Sequence, residues 1–214
     1  MGHEGRDRAQ TEIERRIVCG ELEAGAPVDE HAVAAELAVE PPIVREALAC
    51  LLAESFVRAD PDGGFSVGEL NEVELREAYP IVIILEGLAV RTAPDHPPAK
   101  IARMRDINAA MSGQVGDPMA AATRDYEFHE VLCGDCGNEQ LLGTLRPLKR
   151  MLLRYEYAYM GEGRNVARSV ARHDEIADAL EESDRETAAW LVEVNFREAL
   201  PELISQVQGL AGAG

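Results

Sequence analysis

The stretch Val39-Glu40-Pro41-Pro42-Ile43-Val44-Arg45-Glu46-Ala47-Leu48-Ala49-Cys50-Leu51-Leu52 decides the fold. Val44, Ala47, Leu48, Leu51 and Leu52 recur at the spacing of one helical face. Pro41 and Pro42 suit a first helical turn, where a missing N–H breaks no bond. Upstream, residues from about Arg8 to Cys19 set Ile13, Ile17 and Val18 on one face, and Gly20 to Gly25 turns the chain. Asp29 is the expected N-cap of a second helix through Ala32, Val33, Ala35 and Leu37. Downstream, Phe56–Ala59, the turn Asp60-Pro61-Asp62-Gly63-Gly64 and Phe65–Val67 read as strand, tight turn and strand. Three short helices and a hairpin make a winged helix-turn-helix over residues 1–69.

Beyond it no strand signal appears. Asn71-Glu72-Val73-Glu74 resembles a capping box and opens a long helix to about Ala93, with Pro80 inside it as an expected kink. Further helices are expected at 99–113, 118–133, 139–160, 165–182 and 185–208, with Gly, Pro, Asn and Ser at the breaks. Residues 70–214 therefore read as an antiparallel bundle of about six helices, and the chain as mainly α. Sites in such bundles lie between facing helices.

Bulk properties narrow the function. No run of about eighteen apolar residues appears, so no membrane span is expected. The start is charged with no apolar signal core, and a cytoplasmic protein is expected. Cys19, Cys50, Cys133 and Cys136 are scattered through helical segments and read as reduced thiols. The formal net charge is −18. Residues 1–69 hold six Arg or Lys against fifteen Asp or Glu. Such a field repels nucleic acid at long range, so DNA binding would require a local basic patch. Arg15, Arg45 and Arg58 are the candidates, with Arg6, Arg8 and Arg16 beside them.

In the bundle, Asp125 and His129 stand at i and i+4, placing a carboxylate and an imidazole on one helix face. His173 and Asn195 lie on later helices. Two imidazoles and a carboxylate converging in a core suit a divalent transition metal; satisfied core or surface histidines are the bland alternative. Arg150, Arg154, Tyr155 and Tyr159 put cations and hydroxyls on a helix face, either lining a pocket or packing with their tips in water. Cys133-x-x-Cys136 lacks a second ligand pair and reads as two small buried thiols at a helix end. Trp190 reads as core or dimer interface.

Taken together, several motifs resemble the GntR superfamily of bacterial transcription regulators, in its FadR-like branch with an FCD sensor domain. They are Gly20-Glu21-Leu22 with Gly25, Val44-Arg45-Glu46-Ala47-Leu48, and Gly63-Gly64-Phe65-Ser66-Val67 in the first half. In the second they are Leu85-Glu86, Asp125-x-x-Phe128-His129, Gly137-Asn138-x-x-Leu141, and His173-x-x-Ile176 followed by Asp184. The resemblance implies a homodimer that binds operator DNA through the winged helix and responds to a small effector, usually an organic acid. It also implies a metal held by one Asp and three His, which here fall on Asp125, His129, His173 and Asn195. Zinc, nickel, manganese and iron are not distinguished.

Three departures stand out. Where the family has Ser-Arg-Thr-Pro before Val44-Arg45, this chain has Glu40-Pro41-Pro42-Ile43, and a carboxylate facing a phosphate repels it. Where the family has an effector-binding Arg four residues before Glu86, this chain has Val82. The last His is Asn195, a poor ligand for zinc or nickel. Two function classes therefore stand: a ligand-responsive homodimeric transcription regulator, and a repurposed metal-dependent enzyme, with two His and one carboxylate as in non-haem iron chemistry, that has lost DNA binding. A sensor or interaction protein with neither property is a third.

Overall fold

Helix α1 (Gly2–Val18) opens the computed structural model, which describes residues 2–94 and 96–211 and divides into two units, Met1–Leu70 and Asn71–Gly214. The first unit continues with α2 (Glu30–Leu37), α3 (Pro41–Ala53), β1 (Val57–Ala59) and β2 (Phe65–Val67). Helix α1 starts earlier than the sequence pattern suggested, at Gly2, and buries Ala9 with Ile13. Asp29 caps α2 by accepting from the N–H groups of His31 and Ala32. The face that α2 buries is Val33 and Ala34, whereas Ala32 and Ala35 are exposed. Val44, Ala47, Leu48 and Leu51 of α3 are completely buried. Leu52, expected beside them, is 39% exposed, because it sits one position round from that face.

The wing is an antiparallel pair with Val57 opposite Val67 and Ala59 opposite Phe65. Gly63 has a φ of 91°, which its turn requires and a side chain would resist. Strand β2 also pairs on its other edge with the 25–28 segment: Gly25 N–H donates to Val67 O, Val67 N–H to Ala26 O, and Val28 N–H to Phe65 O.

The second unit comprises α4 (Glu72–Thr92), α5 (Pro98–Ser112), α6 (Pro118–Cys133), α7 (Glu139–Met160), α8 (Gly163–Glu181) and α9 (Arg185–Ala211). Asn71 caps α4 through the Val73 N–H at 2.8 Å. Glu74 does not complete a capping box; it is drawn to Arg154 and the Tyr155 hydroxyl, and that hydroxyl accepts from the Asn71 N–H. Asp117 and Asn138 cap α6 and α7. Helix α4 packs along α9, α5 against α6 and α8, and α7 against α4 and α6. Helices α4, α6, α7, α8 and α9 thus supply the walls of the interior described next. Among the described residues no helix is long and apolar enough to cross a membrane.

Candidate functional site

Asp125 and His129 leave α6 from the same face, one turn apart, and His173 meets them from α8. One donor atom from each lies within 4.8 Å of the other two. Asp125 is 8% exposed, His129 1% and His173 0%.

The hydrogen bonds behind the rings decide what faces the front. His129 Nδ1 lies 2.6 Å from Glu86 Oε2. A carboxylate only accepts, so Nδ1 carries the proton and donates. His173 Nδ1 lies 3.1 Å from Asn108 Oδ1. Asn108 Nδ2 already donates to Val170 O and to the Asp174 carboxylate, so its oxygen is the end turned to His173. Both imidazoles therefore point Nε2 at Asp125. His173 Nε2 is 3.4 Å from Asp125 Oδ1, and His129 Nε2 is 3.9 Å from Oδ2. A proton on His129 Nε2 would find its acceptor out of hydrogen-bond range. Asp125 Oδ1 and the two Nε2 atoms are buried without a hydrogen-bond partner. Burial pushes His173 well below the ordinary imidazole range. Three acceptor atoms converging without a proton between them are costly to bury unless a cation is shared. The set fits a divalent transition metal, with each imidazole oriented from behind as metal-bound histidines are.

Glu86 is fully buried, and its other oxygen lies 2.7 Å from Lys149 Nζ. That contact is off the hydrogen-bonding direction but makes a close ion pair. Burial pushes the Glu86 carboxyl up, yet His129 and Lys149 outweigh it and hold the group at about 2. Lys149 also lies 5.0 Å from the Tyr126 ring centre. Phe128 stacks on His173 at 3.8 Å, and Phe196 leans on His129 at 5.0 Å. A cavity of about 20 Å³ adjoins Asp125 and His129, room for a water or an ion. Its walls include Val82, Lys149, Leu152, Leu153, Glu156 and Phe196. Glu156 is half-buried and accepts from the Tyr79 hydroxyl; burial and the Asp125 charge lift its carboxyl to about 7.

Two family models match this chain. Residues 6–67 match bacterial regulatory proteins of the gntR family, and residues 77–197 match the FCD domain. The chain belongs to the GntR family. It is a transcriptional regulator with a C-terminal FCD domain. A probable D-xylose utilization operon transcriptional repressor of Paenarthrobacter nicotinovorans is 31% identical over 178 residues, 82% of this chain and 78% of that protein. The gluconate operon transcriptional repressor of Bacillus licheniformis is 24% identical over 198 residues, 88% of this chain and 81% of its own length. A putative transcriptional regulator GntR from Rhodococcus sp. RHA1 has the same fold, with a TM-score of 0.77, 21% identity and coverage of 94% and 97% of the two chains.

In the GntR-type unit every arginine has a partner. Arg15 pairs with Glu12 and Glu21, Arg16 with Glu12 and Glu36, and Arg58 with Glu69. Arg6 meets Asp7, and Arg8 donates to Leu37 O. Arg45 pairs with Glu30 at 3.1 Å and donates to Gly63 O at 2.7 Å. It thereby ties the start of α2 to the wing turn, with its guanidinium over Phe65. The cations expected to meet phosphate are present but matched by acids.

In the FCD unit the residues expected to bind a ligand divide from those on the cavity wall. Arg154 and Tyr155 are engaged with Glu74, and the Tyr159 hydroxyl accepts from Arg168. Neither these nor Arg150 lines the cavity. The face of α7 that does carries Lys149, Leu152, Leu153 and Glu156, a different i, i+3, i+4, i+7 set. Asn195 is half-exposed on α9 and is absent from the cavity wall, which takes its neighbour Phe196. Sequence reasoning missed Lys149, Glu156, Tyr79 and Asn108. The available signal was Lys149 and Glu156 two turns apart on a face otherwise made of leucines. Cys133 and Cys136 are free and buried, and Trp190 is 54% exposed, so it is not core.

Proposed function

We propose that this GntR-family regulator holds a divalent transition metal on Asp125, His129 and His173, and that the state of this site sets how its winged helix binds operator DNA. The observation that carries the reading is the trio of buried, unpartnered atoms Asp125 Oδ1, His129 Nε2 and His173 Nε2, with Glu86 and Asn108 accepting from the Nδ1–H groups on the far side of the two rings. Nitrogen and oxygen donors of this kind suit zinc, nickel, manganese or iron. A bound ion would supply positive charge inside the bundle and a contact for an oxygen donor of a small effector. Glu86 and Asn108 orient the two rings, Phe128 and Phe196 fix their planes, and Leu152 and Leu153 limit water entry. Relatives named as repressors of xylose and gluconate operons support an operon-level role.

We further infer a homodimer. Ile81, Ile84 and Leu88 form an exposed apolar stripe at i, i+3, i+7 on α4, with Val73 above it, and Trp190 of α9 is exposed as well. A stripe of this size on a regulator is best covered by a second copy. The alternative of a metal-dependent enzyme has no observation of its own.

The test is selection of genomic fragments on the purified full chain at low salt, with and without chelator. The reading expects a specific fragment whose recovery changes when the metal is stripped. Recovery of no fragment at any salt overturns it.

A further inference from the structure

The metal set inherited from the family lacks its fourth protein group at Asn195. The cavity places a different side chain toward the site. Glu156 reaches the cavity wall from α7, on the same helical face as Lys149. The Tyr79 hydroxyl occupies one of its oxygens, Oε1. The other makes no hydrogen bond among the described residues. Glu156 stands outside the triad of atoms that lie within 4.8 Å of one another, and it shares the cavity wall with Asp125 and His129.

Charge argues the same way. Asp125, Glu86 and Glu156 surround the interior against the single ammonium of Lys149, which is already committed to Glu86. Both histidines turn acceptor atoms inward. The enclosure therefore gathers three carboxyl groups and two inward-facing ring nitrogens against one ammonium, an excess of donors that suits a divalent cation. Val82, in place of a cation on α4, leaves that excess uncorrected.

We propose that Glu156 is the fourth protein group of the cation site, doing from α7 what Asn195 on α9 does not do. This rests on the metal-centre reading above. Tyr79 then acts as a positioning residue that holds the Glu156 carboxylate in place.

The experiment is a chelator-competition titration of Zn²⁺ and Mn²⁺ into metal-stripped full-length protein, with melting of each metal-free variant as the folding control. Glu156→Gln is expected to weaken binding about ten- to a hundredfold, the usual effect of losing a supporting carboxylate, with its metal-free melting temperature retained. Glu156→Ala is expected to show the same weakening and replaces Glu156→Gln should the latter fail to fold. Asn195→Ala is expected to bind as the wild type does. Tyr79→Phe keeps the carboxylate and is expected to lose less than Glu156→Gln. Wild-type affinity in either Glu156 variant, or an equal loss in Asn195→Ala, overturns the assignment while leaving the three-residue site standing. Absence of metal uptake by the wild type overturns both.

Discussion

Replacing Lys149 by Met tests the scaffold behind the proposed metal centre. Lys149 Nζ lies 2.7 Å from Glu86 Oε1, and the two side chains are 6% and 0% exposed. At that separation and an effective dielectric of about 20, the attraction is about 6 kcal/mol. Desolvation of both groups offsets much of it, so the intact pair adds little net stability. Breaking it is different, because one charge stays buried alone; such losses run to about 3–5 kcal/mol. His129 still holds the other Glu86 oxygen at 2.6 Å, which places Lys149→Met near the lower end, about 3 kcal/mol. Glu86→Gln strands Lys149 and should cost a similar amount. The double variant strands neither charge and should recover to within about 1 kcal/mol of the wild type, so the two single losses of about 3 kcal/mol each fail to add by about 5 kcal/mol. Urea unfolding of metal-free protein, followed by circular dichroism at pH 7, closes the cycle. Additive single effects, or a Lys149→Met variant indistinguishable from wild type, would refute the reasoning.

Three further outcomes are expected. Glu30→Gln releases Arg45 from its acid and should tighten binding to a selected DNA fragment, whereas Arg45→Ala should weaken it by about 1 kcal/mol; fluorescence anisotropy with no change in either variant would remove Arg45 from the DNA face. Ile84 is 64% exposed, so Ile84→Glu should yield a monomer by light scattering with stability altered by less than about 0.5 kcal/mol; a persistent dimer moves the interface elsewhere. Glu12 is held at about 2 by hydrogen bonds from Arg15 and Arg16, against 4.5 unperturbed. Its contribution is therefore present above about 4.5 and is lost as pH falls toward 2. At the surface it is worth under about 1 kcal/mol, so the gap between wild type and Glu12→Gln should close on acidification, and a widening gap contradicts the assignment.

Much of the fold was legible because it depends on local signals. Asp29, Asn71 and Asn138 stand at helix starts as caps, and the Gly63 turn joins two short strands whose residues could be named in advance. Glu74 was misread because a capping box and a tertiary ion pair use the same side chain, and only the fold shows Arg154 and Tyr155 beside it. The Asp125, His129 and His173 convergence was accessible through i, i+4 spacing and family motifs. Its supporting partners were not: Asn108 lies 65 residues from His173 and Glu86 lies 43 from His129, and no periodicity links positions so far apart. The α7 face was misjudged for a related reason. Arginines and tyrosines look like ligand binders in sequence, but Glu74 and Arg168 engage Arg154, Tyr155 and Tyr159, leaving Lys149 and Glu156 to the cavity.

The most direct test of the central claim is the metal content of untagged protein purified without chelator, compared with His173→Ala. The account predicts about one divalent transition metal ion per wild-type chain and none in the variant, because the ion loses one of its two buried imidazole donors. Metal-free wild-type protein that also takes up none on dialysis, or metal that His173→Ala retains in full, would contradict it.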